Sequence, residues 1–317
     1  VGLDVEMFGM TGQTDGRFAC LSIGFAGGEA YQIYDEKDVP AALERVKHGT
    51  WVMQNALFDL RILRRYAQVP QRYVHDTMLV EQDLFGGWFS RFDLKNLARR
   101  WLKIILSKEA RDLFEKAIEM TPEMEEYAAL DPVITVQIAT KQIGYITKEL
   151  GSQFSWYTDI DEPAIWAVLD MKPPRVDVAG WLANAETMER EAAAKEAEIG
   201  FNVYSHKTVK SKIEAALGRS IKSTNAKSTL EPELAKLDPN SPTAKLIKNV
   251  LEVRELRKAA ETYGASWIEQ HADADGYVHP SWRVTGAETG RMSCGSPNLQ
   301  NVPARKRPIF RTFFTAS

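Results

Sequence analysis

The chain of 317 residues is 44% hydrophobic and 26% charged, a composition typical of an ordinary soluble protein with about two domains. Its two cysteines, Cys20 and Cys294, are too few for a disulfide framework or a cysteine-rich zinc site. No apolar run is long enough to span a bilayer, and no segment has the pattern of a signal peptide. We therefore expect a cytoplasmic protein without membrane contact. Because Val1 already lies in a predicted strand, we also expect a longer natural N-terminus.

Residues 1–7, 18–26 and 30–35 predict three short strands joined by glycine-containing turns, in an antiparallel meander. A fourth strand is predicted at 51–55. Helices are predicted near 38–48, 56–66, 76–85, 93–102 and 108–118, and a long one follows Pro122 with Pro132 as a kink or restart. Strands followed by covering helices indicate an α/β (α+β) domain with a mixed sheet, ending near residue 150.

The second half of the chain is predicted to be mainly helical. Two long helices, within 178–199 and 241–272, flank the basic segment 204–240, which we expect to be a mobile tip. Short extended pieces follow Gly276, and the last of them, PIFRTFFTA, is predicted to be a poorly covered strand.

The net charge of −3 gives no global sign of a nucleic-acid partner, but basic residues concentrate in two segments. The first lies between Tyr204 and Lys227 and has Glu214 as its single acid. The second runs from Arg283 to the C-terminus and has Glu288 as its single acid. Basic segments are often only solvated faces, but two of them on a slightly acidic chain favour contact with phosphates.

The first strand carries two acids in the motif LDVEM. Strand alternation places Asp4 and Glu6 on one face, with Cα atoms about 6.6 Å apart. Like charges this close raise each other's pKa unless a cation lies between them. Other acid-x-acid pairs of the chain lie in polar stretches, where a solvated surface explains them. The apolar flanks of Asp4 and Glu6 leave a metal site open as the alternative.

Two further motifs each have a simple structural explanation when taken alone. Asn55 and Asp59 can cap a helix and stabilise its first turn, and Tyr127 and Asp131 lie one turn apart on an amphipathic helix. Together with Asp4 and Glu6, these acids have the order and the element types needed to hold two hard cations such as Mg²⁺. Two such ions can promote phosphodiester hydrolysis, with Tyr127 orienting the attacking water.

These motifs resemble those of the DEDDy 3′–5′ exonucleases, whose D-x-E, N-x₃-D and Y-x₃-D patterns match LDVEM, QNALFD and YAALD. The resemblance implies a ribonuclease-H-like sheet and two Mg²⁺ or Mn²⁺ ions. Asp4 would contact both metals, Glu6 and Asp131 would complete the tighter site, and Asp59 would hold the second ion through water. The resemblance further places three residues near the terminal nucleotide, namely Gln54, Asn55 and, as an apolar wedge beside the base, Met10.

Residues 275–305, which contain GRMS and NLQNVP, resemble the stretch that joins thumb to palm in family-A DNA polymerases. In that family the counterpart of Arg291 contacts the primer terminus, although Ala287 stands where a Thr is usual. The segment GFNVYSHKTVKSKI likewise resembles a thumb segment that contacts phosphates. Together with the basic segments, these resemblances imply DNA-binding residues at Ser205, Lys207, Lys210, Arg283, Arg291, Asn298, Gln300 and Asn301.

We therefore predict an exonuclease domain at 1–150, a thumb at 155–275 and the beginning of a palm at 276–317. The acids of a nucleotidyl-transfer site are not found before Ser317. We expect a truncated piece or one half of a split polymerase, whose second polypeptide carries the remaining palm and the fingers, in a bacterial or phage-infected cell. The alternatives are a non-catalytic DNA-clamping subunit and a free-standing RNA-trimming exonuclease.

Overall fold

The computed structural model describes residues 1–9, 16–106, 113–304 and 307–315. The chain divides into two compact units. The first comprises Val1–Lys172 and Ser281–Gln300, and the second comprises Pro173–Pro280 and Asn301–Ser317. Within the described residues, no helix is both long and apolar enough to cross a membrane.

The first unit is built on a five-stranded mixed sheet with the order β3-β2-β1-β4-β5. Its strands are β1 (Gly2–Phe8), β2 (Arg17–Gly24), β3 (Ala30–Ile33), β4 (Trp51–Met53) and β5 (Val74–Asp76). The pairs β1–β2 and β2–β3 are antiparallel, whereas β1–β4 and β4–β5 are parallel. The predicted meander and the mixed sheet are confirmed, while β5 was not predicted.

Helices flank this sheet at α1 (Val39–Arg45), α2 (Ala56–Tyr66), α3 (Thr77–Phe85), α4 (Leu94–Trp101), α5 (Pro122–Tyr145) and α6 (Glu162–Asp170). The helix predicted near 108–118 falls in part outside the described residues. Pro132 neither ends nor restarts α5 but lies inside it.

Helix α5 packs unusually close to the sheet at Pro132. A Cβ atom on Gly2 would lie 2.2 Å from the carbonyl oxygen of Pro132, and one on Gly24 would lie 2.6 Å from the amide nitrogen of Val133. Only glycine permits such an approach of two backbones. This contact fixes the residue before Pro132, Asp131, beside the face of β1 that carries the acids.

The carboxylate of Asp76, at the end of β5, joins two helix N-termini. It accepts hydrogen bonds from the amides of Met78 (2.9 Å) and Leu79 (3.3 Å) at the start of α3. It also accepts from the amides of Asn55 (3.0 Å) and Ala56 (2.8 Å) at the start of α2. Burial raises the pKa of Asp76, and these backbone hydrogen bonds oppose the rise. Asp76 therefore fixes the starting point of the helix that carries Asp59.

The remaining elements, in chain order, are β6 (Arg175–Val176), α7 (Val178–Ile199), α8 (His206–Leu217), α9 (Glu231–Leu234), α10 (Pro242–Tyr263), α11 (Ala265–His271), β7 (Ser281–Arg283), β8 (Ser293–Gly295), α12 (Ile309–Thr312) and β9 (Phe314–Thr315). The hairpin of β7 and β8 belongs to the first unit, where Val284 joins the core of the sheet. In the second unit α7 packs along α10.

Two predictions for the second unit are wrong. Segment 204–240 is not a mobile tip, because Val209, Ile213 and Leu230 are buried against α10 in a hydrophobic cluster of their own. The segment PIFRTFFTA is not a poorly covered strand. It forms α12, its Phe310 is fully buried 5.1 Å from the ring of Trp181, and its strand β9 pairs with β6.

We predict that Asp76→Ala lowers the free energy of unfolding by about 3 kcal/mol or more, because it leaves several buried amide groups without an acceptor. Asp93→Ala is the matched control, since Asp93 caps α4 alone through the amide of Asn96. We expect it to cost about 1 kcal/mol. Urea unfolding measures both values, and equal losses would contradict the double-capping role.

Candidate active site

Three carboxylates from two distant segments meet at the face of β1 against which α5 packs. One oxygen each of Asp4, Glu6 and Asp131 lies within 4.8 Å of the others. Asp4 and Glu6 alternate with the buried residues Val5 and Met7, and Asp131 is buried on α5. The strand period therefore places two acids on one face, and the close packing of α5 adds the third.

Asp59 lies in the first turn of α2 and is almost completely buried. Its Oδ1 accepts a hydrogen bond of 3.0 Å from the amide of Val5, the residue between the two acids of β1. Burial raises the pKa of Asp59 well above its usual range, and the charge of Asp4 raises it further. Asp59 thus adjoins the three-carboxylate cluster without being one of its members.

Tyr127 lies one helical turn before Asp131. Its ring contacts that of Phe114 at 6.3 Å, and Phe114 in turn stacks on Phe8 at 6.1 Å. Burial is the largest cause of a raised pKa at Tyr127. The charge of Asp131 and a side-chain hydrogen bond between Tyr127 and Asp131 raise this pKa further. The hydroxyl group therefore stays protonated at neutral pH and donates its hydrogen bond to Asp131.

The charges of the cluster also act on a buried neighbour. Burial raises the pKa of Cys20, on the adjacent strand, to about 12, and the charges of Glu6 and Asp4 contribute to this rise. Several carboxylates in one partly buried place repel one another, and a divalent cation removes the repulsion. Carboxylate oxygens are the ligands that Mg²⁺ and similar hard cations prefer, so the residues present fit such an ion.

The structure places Gln54 and Asn55 at the turn from β4 into α2. The side chain of Gln54 donates to the carbonyl of Phe92 at 2.8 Å and accepts from the hydroxyl of Thr77 at 2.5 Å. Asn55 has a left-handed backbone with φ of 64°, and its exposed side chain makes no capping hydrogen bond. Met10 lies outside the described residues.

Three of the predicted DNA-binding residues begin α8 in the second unit. Ser205 caps this helix by accepting from the amide of Thr208, and Lys207 is exposed. Lys210 lies 3.8 Å from the carboxylate of Glu214. The helix N-terminus and the positively charged side chains of Lys207 and Lys210 give this end of α8 a positive potential.

The other predicted DNA-binding residues are exposed and lie in or just after the β7–β8 hairpin: Arg283, Arg291, Asn298, Gln300 and Asn301. The Nε2 of Gln300 donates to the carbonyl of Met292 at 3.1 Å, and the side chain of Asn298 accepts from the amide of Gln300. The two units divide the predicted DNA-binding residues between them, because Asn301 belongs to the second unit with the residues of α8.

The sequence reasoning missed one residue that shapes the site. The sequence predicts no site role for His75 or Asp76, yet Asp76 caps the helix of Asp59 as well as its own. His75 is buried against the side chain of Gln142 at 3.1 Å, and burial lowers its pKa to about 4. In the second cap, Asp76 accepts from the amide of Ala56, which lies 20 positions earlier in the sequence. The motif VHDTM alone therefore does not predict this contact.

Comparisons with known proteins match the two halves of the chain to different family models. A family model described as 3′–5′ exonuclease matches residues 1–143, and a family model described as DNA polymerase family A matches residues 180–317.

Similar proteins are bacterial DNA polymerases I. The one from Synechocystis sp. is 28% identical over 289 residues, which cover 83% of this chain and 28% of the relative. The one from Aquifex aeolicus is 23% identical over 305 residues, which cover 88% of this chain and 51% of the relative. The chain thus spans at most about half the length of these relatives.

A solved structure with the same fold is the POL domain of Pol1 from M. smegmatis in complex with DNA primer-template and dNTP. The TM-score is 0.74 at 20% sequence identity, and the match covers 100% of this chain and 56% of that one. The resemblance drawn from the sequence motifs is confirmed by these matches. Residues 1–143 therefore belong to a 3′–5′ exonuclease domain, and residues 180–317 belong to a region of DNA polymerase family A.

Proposed function

We propose that residues 1–150 act as a 3′–5′ exonuclease that releases nucleoside monophosphates from single-stranded DNA. The cluster of Asp4, Glu6 and Asp131 is the observation that carries this proposal. The exonuclease family model supports the reaction, and the DNA polymerase I relatives support DNA rather than RNA as the substrate.

The acids would hold two divalent cations, Mg²⁺ or Mn²⁺. Asp4, Glu6 and Asp131 would bind one ion, and Asp4 and Asp59 would bind the other. Such ions, when bound, stabilise the attacking and leaving oxygens of phosphodiester hydrolysis. The Val5 amide holds the carboxyl group of Asp59 next to β1, so the four acids need little rearrangement to act together.

Tyr127 would donate a hydrogen bond to the attacking water and so fix its orientation. Asn55, exposed at the start of α2, would contact the terminal nucleotide. Gln54 would hold the turn of Asn55 in place, because both ends of its amide already bind Phe92 and Thr77. Met10 as an apolar wedge beside the base stays a prediction.

The rest of the chain would bind primer–template DNA as a thumb, residues 155–275, and the beginning of a palm, residues 276–317. Arg291 would contact the primer terminus, and the positive end of α8 would contact backbone phosphates. We expect no primer extension by these 317 residues alone, because they do not contain the acids of a nucleotidyl-transfer site. A cytoplasmic location fits this role.

We predict that the chain shortens labelled single-stranded DNA from its 3′ end in Mg²⁺, and that Asp4→Asn lowers the rate by about 100-fold or more. The substitution keeps the size of the side chain but removes a charged ligand. Asp35→Asn is the matched control, since Asp35 is exposed and caps a short helical turn through the amide of Lys37. Gel electrophoresis of the digestion products measures the rates.

Intact DNA after incubation of the wild-type chain with Mg²⁺ would refute the proposal. Binding without digestion would then favour the DNA-clamping role. Faster digestion of RNA than of DNA would favour the RNA-trimming alternative.

We predict that Tyr127→Phe lowers kcat about tenfold and leaves KM unchanged, because the ring packing stays and the water-orienting hydroxyl is lost. Since the raised pKa keeps Tyr127 protonated, the pH profiles of both proteins should be parallel between about pH 6 and 9. A change of rate with pH in this range that the wild type shows and Tyr127→Phe lacks would instead identify the tyrosine as a titrating base.

A further inference from the structure

The loop between α3 and α4, with the sequence GGWFSRFD over residues 86–93, presents an aromatic side chain to solvent. Trp88 is 83% exposed, the largest exposure of any Trp, Tyr or Phe in the described part of the chain. Its neighbour Phe89 is 42% exposed. Indole rings on a protein surface provide stacking area for ligands, and single-stranded nucleic acids are bound by such rings.

The loop is held in one conformation by its backbone. The amide of Trp88 donates to the carbonyl of Phe85 at 3.0 Å, and the amide of Phe89 donates to the same carbonyl at 3.3 Å. Gly87 has a φ of +83°, which a residue with a Cβ rarely adopts. Trp88 therefore extends from an ordered turn, so stacking on it costs little loop entropy.

Arg100 anchors the second half of the loop. Its guanidinium lies 4.5 Å from the ring centroid of Phe89, and it donates to the carbonyl of Arg91 at 3.0 Å. Its Nε also forms an ion pair of 2.7 Å with the buried carboxylate of Glu81. The side chain of Arg91 itself is exposed on this anchored loop.

The loop borders a cavity of about 410 Å³, which is large enough for a nucleotide. Asn55, the residue proposed to contact the terminal nucleotide, lines this cavity together with Phe89 and Ser90 of the loop and Arg283 of β7, whereas the exposed ring of Trp88 lies outside the lining. All of these residues belong to the first compact unit. A strand with its 3′ end at Asn55 would thus lie beside the loop that carries Trp88.

Several side chains that line this cavity can form hydrogen bonds with a base. Burial, followed by the charge of Asp161, raises the pKa of Asp83 to about 8, so this group is largely neutral at pH 7 and can both donate and accept. Gln82 and Thr285 hydrogen-bond each other at the cavity wall. Hydrogen-bonding groups beside aromatic rings are typical of sites that hold unstacked bases.

We propose that Trp88 stacks on a base of the single-stranded DNA whose 3′ end lies in the exonuclease site. This inference rests on the proposed exonuclease function. Trp88 is a positioning residue for the strand and takes no part in the hydrolysis itself. It favours single-stranded over duplex ends, because a paired base cannot leave its stack to reach the indole.

The test compares Trp88→Ala, Trp88→Phe and the control Tyr31→Ala. Tyr31 is an exposed aromatic residue, 64% accessible, on the edge strand β3 of the same unit. With an oligothymidylate of about eight nucleotides, we expect Trp88→Ala to raise KM about tenfold at unchanged kcat. Trp88→Phe and Tyr31→Ala should stay within about twofold of the wild type.

A second substrate separates this proposal from the exonuclease assignment. The p-nitrophenyl ester of thymidine 5′-monophosphate has no upstream base, so Trp88→Ala should hydrolyse it at the wild-type rate. If the wild-type chain hydrolyses neither the oligothymidylate nor the ester, the exonuclease function is refuted. Equal KM values of Trp88→Ala and Tyr31→Ala for the oligonucleotide, or slower ester hydrolysis by Trp88→Ala, would refute the stacking role alone.

A variant-free measurement covers the case in which Trp88→Ala does not fold. Binding is measured by fluorescence titration of the wild-type chain in EDTA, which prevents metal-dependent digestion. An oligothymidylate whose upstream positions are abasic should bind about tenfold more weakly than the intact oligothymidylate. Equal affinities would contradict stacking. Self-association of the wild-type chain that Trp88→Phe abolishes, seen in sedimentation, would instead assign the exposed ring to a contact between copies.

Discussion

The accumulation of like charge at one end of the sheet is the constraint on which the rest of the first unit depends. Asp4 and Glu6 share a face of β1 because of the strand period, and Asp131 joins them because glycine at positions 2 and 24 lets α5 approach the sheet. Repulsion among these acids opposes folding, and the charge of Asp4 also adds to the rise that burial causes in the pKa of the neighbouring Asp59. A protein keeps such an arrangement where a cation is part of its working state.

The surroundings of the cluster are built to hold it in place. The amide of Val5 binds Asp59, and Asp76 binds the first amides of α2, so the helix of Asp59 is fixed at both its start and its first turn. The β7–β8 hairpin, which the polymerase family model includes, packs on the same unit through Val284. Residues from the segment matched by the exonuclease family model and from the segment matched by the polymerase family model therefore line one cavity beside Asn55.

Much of this arrangement could be predicted from the sequence, because the acids of the site lie in local motifs on strongly patterned elements. The boundaries of α2 match the prediction, and β1 differs from it by one residue at each end. The role of Asp76 could not be predicted, since its partners at Asn55 and Ala56 are set by the parallel pairing of β4 and β5. Segment 204–240 was wrongly predicted to be mobile, because its apolar residues are scattered in the sequence and become buried when they pack against α10. The burial of Phe310 could not be predicted because the residue that covers it, Trp181, lies on the distant helix α7.

Anomalous diffraction from crystals soaked in Mn²⁺ tests the central claim most directly, since it locates the cations independently of any activity. The account predicts one peak bounded by the carboxylates of Asp4, Glu6 and Asp131 and a second between Asp4 and Asp59. Saturating Mn²⁺ that leaves this end of the sheet without a peak, or that binds only at other acids of the chain, would contradict it.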